Sequence, residues 1–149
     1  MNKYLKFGVM IAASTVIMFA LMYLNVYQVE HVFFSQTRVY MALIMGAAMA
    51  IVMLGFMRGM YPNRASNTGI FAGSAILFAL ALWLARSQST VDDVSWMKAM
   101  IPHHSIAILT SERARISDPR VRKLADQIIQ SQKQEIAEME ALIQELENK

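Results

Sequence analysis

The run Met97-Lys98-Ala99-Met100-Ile101-Pro102-His103-His104 holds two thioethers and two imidazoles within eight residues. On a helix, Met97, Met100 and His104 are three and four positions apart and share a face, with His103 turned about 100° away. Pro102 cannot donate to the carbonyl four residues back, near Lys98, and so bends a helix there and re-aims the imidazoles. Further on, Gln132, Glu135 and Met139 fall on a second helical stripe. A turn at Ser117-Asp118-Pro119 would fold the two segments together at a comparable height, because His103 and His104 precede it by about as many residues as Gln132 follows it. Imidazole nitrogen with thioether sulfur is a soft donor set that suits copper, Cu(I) above all. The alternative is structural, with methionine as flexible core filler and the histidine pair satisfying backbone groups beside a proline.

The chain has no cysteine, so disulfides, thiolate metal sites and thiol nucleophiles are excluded, and its 13 methionines are its softest ligands. Met41, Met45, Met49, Met53 and Met57 form an unbroken i+4 ladder. Each step drifts about 40° around a helix, so the five sulfurs cannot all face one straight pore, and packing is the simpler role. Glu30 and His31 lie close in sequence to the Met41 end of this ladder, where an interfacial polar role is the plain reading.

The elements that position these groups divide between two solvents. Hydrophobic residues make up 56% of the 149 residues and charged ones 17%, with a mean hydropathy of +0.35. Only Lys3, Lys6, Glu30, Arg38, Arg58 and Arg64 are charged before Arg86. Uncharged runs at Phe7–Tyr27, about Val39–Met57 and about Gly69–Leu84 predict three transmembrane helices. The first lacks a small-residue cleavage site and reads as an uncleaved anchor. The segment Arg58–Asn67 carries the Gly, Pro and Asn of a tight connection. Lys3, Lys6, Arg58 and Arg64 fall on one side and Arg38 and Arg86 on the other. The positive-inside rule then predicts an inner (plasma) membrane protein with a cytoplasmic N-terminus and a periplasmic or extracellular C-terminal domain. Ala42, Gly46 and Ala50, and again Gly69 and Gly73, recur at the four-residue spacing that lets helices approach closely in lipid. The basic excess belongs to the membrane half, so a nucleic-acid partner is not expected.

The division is therefore 1–86, a three-span membrane domain, and 87–149, an external two-helix hairpin. Ser87 to Thr90 form a polar linker able to cap a helix from near Val91 to Ile116. Asp118 as N-cap with Pro119 at the first helical position starts a second helix reaching about Leu146. Its apolar stripe is read as Val121, Leu124, Ile128, Met139, Leu142 and Leu146, interrupted at Gln132 and Glu135. Two helices bury too little surface to stand alone, so the hairpin is expected to dimerise into a four-helix bundle.

The stretch Met97-Lys98-Ala99-Met100-Ile101-Pro102-His103-His104-Ser105-Ile106-Ala107-Ile108, followed by Asp118-Pro119, Leu124-Ala125, Ile128-Ile129, Gln132, Glu135-Ile136 and Met139, resembles the domain of unknown function 305 family. The likeness covers roughly Asp92 to Leu146. It implies a ferritin-like, all-α fold and, from periplasmic copper-binding members, Met97, Met100, His103, His104 and Met139 as ligands, with Gln132 and Glu135 lining the site. Many members have a Met-Ala pair where this chain has Leu109-Thr110, which removes one thioether and puts a second copper site in doubt. Copper-binding members often carry two tandem domains. A single domain here again implies a dimer.

The functional expectation is a non-enzymatic, membrane-anchored protein that binds copper for tolerance or handling of the metal. Two rivals stand beside it. One is a structural membrane protein whose hairpin recruits a partner without metal. The other is a di-metal oxidoreductase, disfavoured because the first hairpin helix has no Glu before Glu112 and the second has no His.

Overall fold

A computed structural model describes residues 2–148 of the chain; the outer limits of the sequence-derived domains, Met1 and Lys149, lie outside the described residues. Five α-helices follow in order: α1 (Lys3–Leu21), α2 (Gln36–Phe56), α3 (Arg64–Ser87), α4 (Asp93–Arg113) and α5 (Pro119–Glu147), with short 3-10 turns at Val29–His31 and Arg58–Met60. The architecture is all-α. α1, α2 and α3, at 19, 21 and 24 residues, are long and apolar enough to cross a membrane, since each spans about 28 to 36 Å.

The chain separates into two compact units. The first contains α1, α2 and α3; the second contains α4 and α5 together with the segment Tyr23–Gln36 that connects α1 to α2. The expectation that the first span runs on to Tyr27 is corrected by the end of α1 at Leu21. Tyr27, which the sequence places at the end of that span, packs instead against the core of the second unit, as Phe33 does.

In the first unit, Ala42, Gly46 and Ala50 are all buried along α2. A Cβ added at Gly46 would collide with the Thr15 side chain of α1, so glycine here sets how close the two helices come. Gly69 and Gly73 differ, for a Cβ at either would meet open space. At one end, Tyr4 Oη donates to Asn67 Oδ1 at 3.0 Å and Asn67 Nδ2 donates to Tyr61 O at 2.8 Å, which ties α1 to α3. In the methionine ladder, Met53 and Met57 pack against the buried cluster of Phe7, Ala50, Leu54 and Tyr61, the gap-filling role that an unbranched thioether suits.

In the second unit, Asp92 caps α4 by accepting from Ser95 N at 2.7 Å; the expected cap in Ser87–Thr90 is displaced by this carboxylate. Asp118 caps α5 by accepting from Arg120 N at 2.8 Å, with Pro119 in the first turn as the sequence predicts. The core between α4 and α5 is Met97, Ile101 and Ile108 against Ile129, Ile136, Met139 and Ile143. This corrects the stripe read from periodicity. Of its six members only Met139 is buried, while Val121, Leu124, Ile128, Leu142 and Leu146 are exposed.

Candidate metal centre

α4 runs unbroken from Asp93 to Arg113 through Pro102. Pro102 has no N–H for the Lys98 carbonyl, and two residues further on the imidazole of His104 turns back to the chain: its Nδ1 lies 2.8 Å from Met100 O. A carbonyl only accepts, so Nδ1 carries a proton and donates it. That leaves Nε2 as the outward-facing nitrogen. It lies 2.7 Å from Glu135 Oε2 on α5. An ionised carboxylate also only accepts, so two lone pairs face each other unless a cation lies between them. A proton satisfies the contact by making His104 an imidazolium; a metal ion is the other species able to take that place.

Glu135 is anchored from its own helix. The Ser131 hydroxyl donates to Oε1 at 2.6 Å and Gln132 Nε2 donates to Oε2 at 3.2 Å. The Ser131 hydrogen bond is the largest influence holding the Glu135 carboxyl below its ordinary range. Partial burial opposes it, and contact with His104 adds to the lowering. The His104 side chain is only 12% exposed, whereas that of Glu135 is 45% exposed.

Beside the pair lies a pocket of about 260 Å³ whose lining includes Met97, His104, Glu135, Met139 and Trp96. Met97 and Met139 are both buried. The geometry therefore gathers four of the seven residues nominated from sequence: an imidazole, a carboxylate and two thioethers. Gln132 reaches the group only through Glu135. His103 is exposed, its ring centroid 6.3 Å from that of His104 at an interplanar angle of 73°. Met100 is absent from the pocket lining and packs against the hairpin core that includes Met97 and Met139. Among the described residues no three of His, Asp and Glu converge on one point.

Sequence reasoning missed a second cluster. Ser105, fully buried on α4, accepts from Tyr27 N at 2.6 Å and lies 2.8 Å from His31 Nδ1. Tyr27 Oη donates to Glu112 at 3.3 Å, and this contact is the main influence lowering the Glu112 carboxyl. Lys133 Nζ sits 5.7 Å from the centre of the Tyr27 ring. The available signal was Ser105 itself, a hydroxyl on the stripe Ile101, Ser105, Ile108 that is otherwise apolar and that needs a partner once buried.

Residues 84–149 match the family model described as domain of unknown function (DUF305). The chain belongs to the DUF305 family through this C-terminal domain. An uncharacterized protein of Acanthamoeba polyphaga mimivirus is 37% identical over 110 residues, which cover 68% of this chain and 72% of the relative. That alignment is longer than the DUF305 match, so the likeness extends into the apolar helices that precede it. No solved structure matches the chain.

Proposed function

We propose that this DUF305 protein is a membrane-anchored metal-binding protein. In this reading α1, α2 and α3 hold it in the plasma membrane with the N-terminus cytoplasmic, and the hairpin faces the periplasm or the exterior, where it serves copper tolerance or handling. The observation that carries the reading is the convergence of His104, Glu135, Met97 and Met139 around one pocket. One imidazole and two thioethers fit Cu(I), which accepts low coordination numbers and soft donors, better than they fit Zn²⁺, for which thioether sulfur is a poor ligand. The resemblance to copper-binding, ferritin-like family members supports the same assignment, with the hairpin completed to a four-helix bundle by a second copy.

The test is a competition titration of the full chain in detergent against chromophoric Cu(I) and Zn²⁺ chelators. Cu(I) is expected to bind more tightly than Zn²⁺, and Met97→Leu with Met139→Leu to weaken Cu(I) while leaving Zn²⁺ binding unchanged. Equal Cu(I) affinity in the double variant removes the thioethers from the site. No binding at all favours the metal-free reading, in which the contact of His104 with Glu135 is a structural ion pair and the hairpin recruits a partner.

A further inference from the structure

The exposed apolar residues of α5 are symmetrically spaced. Leu124 and Ile128 lie eleven and seven residues before Glu135, and Leu142 and Leu146 lie seven and eleven after it. All four are at least 36% exposed, and at about 100° per residue they fall within about 20° of the Glu135 direction. Trp96 of α4, 50% exposed, extends the face by sharing a pocket with Leu142 and Leu146. The segment Tyr23–Gln36 covers a different edge of the hairpin, the one that presents Lys133, Ile136, Ala137 and Glu140.

A spacing symmetric about one residue is what an antiparallel two-fold contact between identical helices requires. Leu124 then meets Leu146 of the partner subunit, Ile128 meets Leu142 of the partner subunit, and Glu135 meets its own copy at the axis. Each Glu135 brings the His104 that touches it. Two carboxylates facing each other across an axis repel unless a cation lies between them. Two carboxylates and two imidazole Nε2 atoms, each Nε2 left as the free nitrogen by the Nδ1 contact with Met100 O, supply four nitrogen and oxygen donors of the kind that hold zinc.

We infer that the exposed face of α5 binds a second copy of this chain and that His104 and Glu135 of the two copies together form a divalent-cation site on the two-fold axis. The cation is of the borderline class, Zn²⁺ or Cu²⁺. Neither chain holds a full set of such donors alone, so the site exists only in the dimer. It shares His104 with the copper reading but uses neither thioether. The face from Leu124 to Leu146 is about 33 Å long and about 10 Å wide, on the order of 300 Å² a side. That is well below the roughly 800 Å² a side typical of stable association in solution. Pairing therefore depends on the bridging ion.

The experiment uses the full chain in detergent, with sedimentation equilibrium for assembly and native mass spectrometry for metal count, Zn²⁺ being the probe. The expected result is one Zn²⁺ per two chains, with dimerisation tightened about tenfold or more by the ion. Glu135→Gln should abolish this linkage, and Leu142→Lys should abolish the dimer. Because the chain has no cysteine, Leu124→Cys with Leu146→Cys in one chain should crosslink between copies under oxidation, which reports the pairing even where a lysine variant fails to fold. Met97→Leu with Met139→Leu should leave the Zn²⁺-linked dimer intact, so failure of the thioether reading is separable from failure of this one. One Zn²⁺ per monomer, a dimer indifferent to both Zn²⁺ and Leu142→Lys, or the absence of the crosslink would overturn the proposal.

Discussion

His31 Nδ1 lies 2.8 Å from the hydroxyl oxygen of Ser105, 74 residues further along the chain. The same oxygen accepts the Tyr27 N–H, so one hydroxyl on α4 holds both the Tyr27 backbone and the His31 imidazole. Through this contact the connection between α1 and α2 becomes part of the hairpin unit.

Ser105→Ala should therefore destabilise the second unit by about 1–3 kcal/mol, because it leaves a half-buried backbone N–H and a buried imidazole nitrogen without their shared partner. Thermal unfolding of the full chain in detergent measures the loss. Hydrogen exchange at the Tyr27 amide should quicken selectively. An unchanged Tyr27 exchange rate would mean that the segment is held by Phe33 and Tyr27 packing alone.

Gly46→Ala should weaken packing of α1 on α2 by about 1–3 kcal/mol, since the new methyl group overlaps Thr15. Thr15→Ala should recover part of that loss in the double variant, a coupling expected only of residues in contact. Gly69→Ala, which meets open space, should be neutral or slightly stabilising because alanine favours helix. A double-mutant cycle in detergent unfolding checks all three.

Much of this arrangement was legible in the sequence, and the exceptions share a physical cause. Charge-free length marks α1, α2 and α3, and Asp118-Pro119 marks the start of α5, because capping is local chemistry. The core face of α5 was not legible. Ala125, Ile129, Ile136 and Ile143 form a stripe beside that of Leu124, Ile128, Leu142 and Leu146, and helical periodicity alone cannot say which of two adjoining apolar stripes meets α4. At the site, the i+3 and i+4 spacings bring Met97, His104, Glu135 and Met139 together. Met100 shares their spacing yet does not line the pocket; it packs against the hairpin core, as do Tyr27 and Phe33, more than sixty residues earlier, whose place there no local pattern announces.

Acid should loosen the start of α5. The Asp118 carboxyl is held below its ordinary range, first by the Arg120 side chain and then by the Arg120 backbone N–H. A carboxylate with a depressed folded-state value contributes stability that is present above its unfolded value and lost as pH falls through the folded one. Helix content near Pro119 should thus hold at neutral pH and decline only below the usual aspartate range, and Asp118→Asn should flatten that decline. Amide exchange at Arg120 across an acid titration reads it out.

A reporter fused after Lys149 should be active only if it functions outside the cytoplasm. Three membrane crossings by α1, α2 and α3 would put Lys3 and Lys149 on opposite sides, and Lys3, Lys6, Arg58 and Arg64 outnumber Arg38 and Arg86 on the side expected to be cytoplasmic. Activity of a cytoplasm-only reporter would reverse the orientation and remove the copper-handling role from the outer face.

The methionines offer the sharpest test of the site, because two that look alike in sequence are placed differently. Met97, a member of the hairpin core, also lines the pocket with His104 and Glu135, whereas Met100, three residues on, packs against that core without lining the pocket. Leucine nearly conserves methionine volume, so Met97→Leu and Met100→Leu should each cost less than about 1.5 kcal/mol in stability. Their effects on metal should diverge. Met97→Leu removes a thioether from the pocket and should weaken Cu(I), while Met100→Leu changes only core packing and should leave Cu(I) affinity at its wild-type value. His104→Ala should weaken Cu(I) and Zn²⁺ together, since the imidazole serves either ion. Competition titrations on the three variants, paired with thermal unfolding to show that each is folded, decide the matter. Equal weakening by Met97→Leu and Met100→Leu would mean that the bound state turns Met100 into the pocket, and the donor set would then be the one that the M-x-x-M-I-P-H-H spacing implies.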